Sequence, residues 1–170
     1  MDTNHTPSPT DSRADYKRQW QQNDRFRKWL AREAGICLMR LTQTDVATLY
    51  DFYLSLPTLK GRTQTATLRR LLRRAELLTT EADYTLTQAI HLSLNIEHLL
   101  TDLRKGEVRL TYVLQRGGQQ LTSRATLTGP VASLVRQRSA PQASLMQVSF
   151  YDLDQQQWRS MHVGDYVGRE

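Results

Sequence analysis

The chain contains a single cysteine, Cys37, so no internal disulfide can form. Its neighbours Ile36 and Leu38 mark it as a small buried residue in a reducing compartment. No apolar run approaches the roughly 20 residues needed to cross a bilayer. The opening MDTNHTPSPTDSRAD has no apolar core, so no secretory leader is expected. These absences point to a cytoplasmic protein with no membrane partner. Enzyme signatures are also missing: there is no P-loop, no Gly-x-Ser-x-Gly and no dinucleotide-binding glycine pattern. Cys37 lacks an activating neighbour. Asp152 and Asp154 lie two apart in a turn-forming stretch, where aspartates usually bond their own backbone. His91 and His98 are seven apart on one expected helix, too far along it to chelate one ion by themselves. His5 and His162 have no cysteine or histidine at ligating distance in the sequence. A protein without catalysis, metal or cofactor is the expectation.

What remains is an ordinary globular composition with a basic balance. Hydrophobic residues make up 39% and charged residues 24% of 170, enough for one domain or two small ones with a real core. The net charge is +6 and the pI about 9.8, which suits nucleic acid or an acidic protein as partner. Divided after Leu103, the first part carries 14 basic and 12 acidic residues and the second 9 and 5. Neither part is basic enough alone, so a basic site must come from local clustering.

Residues 1–14 are Thr, Ser, Pro, Asp and Asn without apolar periodicity and read as a disordered tail. Residues 15–104 read as helical. Tyr16, Trp20, Phe26 and Leu30 share one face of a first helix over 15–34, which Gly35 stops. Thr44 can cap a second, with Val46, Leu49, Tyr50 and Tyr53 inside and Pro57 at its end. TQTATLRRLLRRAELL is the clearest helix, with Leu68, Leu71, Leu72, Ala75 and Leu78 at three-four spacing. A fourth starts near Thr80 to Asp83 and runs to Gly106, with Asn95 as a point where it can break.

The period changes to two at residue 105. Val108, Leu110, Tyr112 and Leu114 alternate with Glu107, Arg109, Thr111 and Val113; Gly117-Gly118 turns the chain; Leu121, Ser123, Ala125 and Leu127 alternate again. After an irregular Pro-bearing connection, LMQVSFY and WRSMHV give two more strands around an acidic, glutamine-rich turn, and DYVGRE adds a short closing piece. Helices followed by consecutive short strands read as α+β with segregated parts. The strands, residues 105–170, suit a small antiparallel barrel, because closure removes most of the unpaired edge.

This C-terminal pattern resembles the small SH3-like β-barrel domains of unknown function encoded in Bacteroidetes genomes, phages and mobile elements. The resemblance covers roughly residues 96–168. It rests on LLTDLRKGEV passing directly into RLTYVLQRGGQQLTSRATL, on the Pro-bearing connection, and on FYDLDQQQWRSMHVGDYV. Met161 stands where the family usually has an aromatic residue, and Gly117-Gly118 where a Lys-Asp-Gly turn is commoner. The resemblance implies an SH3-like barrel and a mobile-element or phage setting. It implies no catalytic residues.

Two features could carry a binding function. Arg69, Arg70, Arg73 and Arg74 lie opposite the leucine face of the third helix, with Lys60 and Arg62 just upstream and no acid from Lys60 to Arg74. Such like-charge neighbours repel, and a phosphate-rich ligand would relieve them. A solvated face in an arginine-rich chain, with 19 Arg against 4 Lys, would look the same. Trp158 and Ser160 should point one way from their strand and Arg159 and Met161 the other. Trp158 then either covers one end of the barrel, with Arg159 pairing Asp152 or Asp154, or stacks on a base beside Arg159. The structural role is the expected one. KGEVRLTY echoes an RNA-recognition octamer, but Glu107 and Arg109 occupy the positions of its stacking rings, so that motif is rejected. The leading expectation is a nucleic-acid-binding or regulatory accessory using the arginine helix, helped by Arg109, Arg124 and Arg159. A protein-interaction module gripping an acidic partner, such as a defence or regulatory protein, is the alternative.

Overall fold

The computed structural model describes residues 9–34, 40–56, 62–114, 117–129 and 144–170. Among these residues, four helices, α1 (Pro9–Ala34), α2 (Gln43–Ser55), α3 (Arg62–Glu81) and α4 (Leu86–Lys105), precede five strands. These are β1 (Glu107–Val113), β2 (Gln120–Thr126), β3 (Gln147–Asp152), β4 (Gln157–His162) and β5 (Tyr166–Arg169). The architecture is α+β with the helices first. Two compact units, Met1–Arg69 and Arg70–Glu170, divide inside α3, so most of that helix and all of α4 belong with the sheet. The apolar stripes of α3 and α4 need the sheet's inner face to cover them, and a period change in sequence does not show that.

Local details refine the sequence reading. α1 begins at Pro9, so part of the expected tail is helical. Pro at a helix start loses no hydrogen bond, since the first N–H groups are unpaired in any helix. The cap of α2 is Thr42 rather than Thr44: its hydroxyl accepts from Asp45 N while the Asp45 carboxylate accepts from Thr42 N, a reciprocal box. Thr85 and Gln88 make the same box at the start of α4, which runs unbroken through Asn95. In the first unit, Phe26 packs its ring on Trp29, Tyr50 and Tyr53, with centroids 5.0 to 5.6 Å apart. The Gln64 amide donates to Leu56 O at 3.1 Å. Cys37, Gly35, Pro57 and Lys60 lie outside the described residues.

The sheet is antiparallel with order β4-β3-β2-β1-β5. β4 and β5 do not pair with each other among the described residues, so it is open where a closed barrel was expected. β1 and β2 align along seven residue pairs, but β2 and β3 along only two, Ala125↔Asp152 and Thr126↔Tyr151. The sheet is thus two ribbons joined at a corner. Gly117 and Gly118, at φ +106° and +65°, make the β1–β2 turn in a region that residues with a Cβ seldom enter. Val108, Leu110, Tyr112, Ser123, Ala125, Val148, Phe150 and Met161 form the buried inner face. Its core is completed by Leu71, Leu72, Ala75 and Leu78 of α3 and Ile90, Leu94, Ile96, Leu99 and Leu103 of α4. A backbone bond from Leu127 N to Leu103 O ties α4 to the end of β2. No described helix is long and apolar enough to cross a membrane.

The cap of α4 offers a direct check on this local reading. Thr85→Ala should lower the unfolding free energy by about 1 kcal/mol in a urea titration. An unchanged midpoint would mean that the box contributes nothing.

Candidate functional site

The four arginines of α3 do not form one face. Arg69 and Arg73 are exposed on the side opposite the leucines. Arg70 and Arg74 lie on the flank, where the leucine stripe meets α4, and both reach Glu97. That is a correction to the expectation of four arginines together opposite the leucines. Helical spacing sets 69 and 70 almost equally far from the leucine stripe; Arg70 and Arg74 are drawn apart from the others by Glu97 on the neighbouring α4, which both reach. Arg62 begins α3 and its side chain is not described. Lys60 is outside the described residues.

Glu97 is only 3% exposed, on the buried stripe of α4. The Arg70 guanidinium approaches it in a forked geometry, Nε donating to Oε1 at 2.9 Å and Nη2 to Oε2. Arg74, itself 3% exposed, donates from Nη1 to Oε1 at 2.9 Å and to Ser93 O at 3.4 Å. Its Nε donates to Leu145 O at 2.8 Å, which fixes the backbone just before β3. Burial pushes the Glu97 carboxyl up, but the hydrogen bonds and charges of Arg70 and Arg74 outweigh it and hold the group below its usual range. Burial also lowers the Arg74 pKa, and Glu97 only partly offsets that. The Glu97 hydrogen bond, against partial burial, raises that of Arg70. Two of the four arginines thus serve the fold.

The other arginines divide between the two faces of the sheet. Arg159 sits on the inner face opposite Phe150, 29% exposed, with Nε 3.1 Å from Asp152 Oδ2. That approach is an ion pair without an aligned hydrogen bond, and both atoms are otherwise unsatisfied. Arg159 Nη1 also donates to the buried Tyr112 hydroxyl at 3.4 Å. Asp152 is 1% exposed, and its Oδ1 accepts from the backbone of Asp154 and Gln155, each at 3.0 Å, closing the β3–β4 turn. Arg159 therefore follows the expected pairing with Asp152 and does not sit beside Trp158 as a phosphate holder.

The outer face collects a different set. Arg109 and Arg124 are directly opposite each other across β1 and β2, 66% and 53% exposed. Thr111 and Thr122 are opposite in the next row, with hydroxyls 3.0 Å apart. On the other side of the arginine row, Trp158, Tyr151, Thr126 and Glu107 line up across four strands. The rings of Tyr151 and Trp158 are half-buried and meet edge to face, centroids 5.6 Å apart at 75°. Ser149 and Ser160 make the row beyond. Adjacent rows on one face are about 6.8 Å apart along a strand.

Acids are part of this face. Arg124 donates from Nε to Glu107 Oε1 at 2.5 Å and from Nη2 to Oε2 at 2.9 Å, and lies 3.8 Å from Asp154. The Arg124 hydrogen bond holds the Glu107 carboxyl below its ordinary range. Arg109 has Glu170 at 4.0 Å. Tyr151 and Glu97 are the residues that sequence reasoning missed. Tyr151 was visible as the outward member of an alternating strand, and Glu97 as the one acid on an apolar helical stripe.

Elsewhere, a cleft of about 60 Å³ lined by Trp20, Asn23, Asp24, Arg27, Gln43 and Val46 is far smaller than an ordinary small-molecule pocket. No His, Cys, Asp and Glu cluster suited to a metal occurs among the described residues. No family model matches the chain, and no similar chain is found among curated proteins or solved structures.

The Glu97 network makes a stability prediction with a definite sign. Its folded pKa is depressed, so the contribution is full above the unfolded value of about 4.3 and disappears as pH falls through the folded value. Glu97→Gln leaves the buried Arg74 guanidinium without its counter-charge and should cost about 3–5 kcal/mol at neutral pH. The variant should also lose less further stability on acidification than the parent. Parallel urea titrations at neutral pH and at pH about 3.5 check both; an acid response identical to the parent's would remove Glu97 as its source.

Proposed function

We propose that this is a non-catalytic, cytosolic nucleic-acid-binding accessory of a mobile element or phage, with the outer face of its sheet as the binding surface. The setting rests on the sequence resemblance. The observation that carries the binding reading is the direct opposition of Arg109 and Arg124, both well exposed. Like charges placed opposite one another destabilise a sheet, and here the carboxylates of Glu107, Asp154 and Glu170 offset them. A phosphate spanning the two arginines would take the place of those carboxylates with two charge-assisted hydrogen bonds. Arg73 is a further exposed basic residue, on α3. We take the sheet to be a partly open SH3-like barrel. In support, β5 returns to β1 after a single 3₁₀ turn (Val163–Asp165), and the two ribbons meet at the β2–β3 corner.

An acidic protein partner is the second reading. The forked grip of Arg124 on Glu107 is a geometry that a partner's carboxylate could adopt equally well.

Fluorescence anisotropy with labelled oligonucleotides over a salt series tests the proposal. For single strands the log–log slope is about −0.7 per phosphate engaged. Arg109→Ala/Arg124→Ala, which removes the one phosphate held between them, should therefore flatten it by about 0.7. No binding at low salt, or a slope unchanged in the double variant, would overturn the reading.

A further inference from the structure

Resting on that nucleic-acid reading, we propose that the ligand is single-stranded and that an unpaired base stacks on the Tyr151–Trp158 pair while its phosphate displaces Glu107 from Arg124. The rings and the arginines occupy adjacent rows of the same face, a consequence of the Thr126↔Tyr151 and Tyr151↔Trp158 registers. An aromatic platform beside a cation is the arrangement that single strands use, because every base has a stacking face and every nucleotide a phosphate. Duplex bases are buried in their own stack and cannot reach such a platform.

Both rings keep part of their surface exposed. β4 is an edge strand among the described residues. An edge-to-face pair leaves at least one face of each ring uncovered by its partner. The two rings are each half-buried, which fixes their position before a ligand arrives and lowers the ordering cost of binding.

Glu107 gives this site an internal competitor. Its carboxylate holds the Arg124 guanidinium in the forked geometry that a phosphate would use. Asp154 accepts from the Arg124 backbone N–H at 3.0 Å and secures the β3–β4 turn beside it. Arg109, whose pair with Glu170 is a long 4.0 Å, is the cation readiest to meet an incoming phosphate. The carboxylates thus keep the face close to neutral until a phosphate competes for the arginine. Glu107→Gln removes both the competitor and a charge that repels the ligand, so it should tighten binding.

The test follows labelled oligouridylate, oligothymidylate and a duplex of equal length by anisotropy, and in parallel the Trp158 indole N–H by NMR in the parent protein. Both single strands should bind more tightly than the duplex, and the indole signal should move on their addition. Trp158→Leu, which keeps apolar cover over the strand, should weaken single-strand binding roughly tenfold or more and leave duplex binding unchanged. Glu107→Gln should strengthen single-strand binding several-fold. Equal binding of duplex and single strand with an unmoved indole, but a response to Arg109→Ala, would overturn the stacking site while leaving phosphate binding in place. No oligonucleotide binding at low salt would overturn both readings. Preferential binding of polyglutamate would do the same and transfer the face to an acidic protein.

Discussion

The carboxylate of Glu97 receives two guanidinium groups in a place where almost no water reaches. Glu97 and Arg74 would each be costly alone, since an unpaired carboxylate or guanidinium at that depth loses its hydration without compensation. Together they satisfy one another, and the spare Arg74 donors reach Ser93 O and Leu145 O. In this way α3, α4 and the backbone entering β3 are tied at one point. The tie matters because β3 shares only two residue pairs with β2, so the β3–β4 ribbon depends on contacts beyond the sheet ladder. Asp152, Arg159 and Tyr112 supply another such contact, again through a buried charge with a partner from a neighbouring strand.

A consequence is that arginine content is a poor guide to exposed positive charge in this chain. Arg70, Arg74 and Arg159 are used to satisfy buried or half-buried carboxylates, and Arg169 pairs with Asp102 at 2.8 Å. Arg109 and Arg124 on the outer sheet face are the more exposed ones, at 66% and 53%. Guanidinium is well suited to both tasks, since its planar fork matches a carboxylate inside the fold and a phosphate outside it with the same geometry.

Much of the fold was legible because it is written in short periods. Leu68, Leu71, Leu72, Ala75 and Leu78 mark the buried side of α3, and all are buried. Val108, Leu110 and Tyr112 mark the inner side of β1, and Trp158 and Arg159 fall on opposite faces as alternation requires. Boundaries were less legible. Thr42 and Thr44 are both competent caps, and the choice went to the one with an aspartate three residues later. The candidate site was legible only in part. Arg109, Arg124 and Trp158 could each be named from the sequence, but Tyr151 joined them through the β3–β4 register, which depends on a turn around the buried carboxylate of Asp152.

Sequence by itself determined the local quantities: which residues are helical or extended, which side of each element is apolar, and that the helices precede the strands. Those follow from interactions among neighbours a few positions apart, and periodicity records them directly. Only the tertiary structure decided which charges meet. Arg70 and Arg74 find Glu97 more than twenty residues away, and Arg124 finds Glu107 across a hairpin. Coulombic partners are chosen by proximity in space and by the loss of water around them. The same residue type is therefore a buried structural tie in one place and an exposed cation in another.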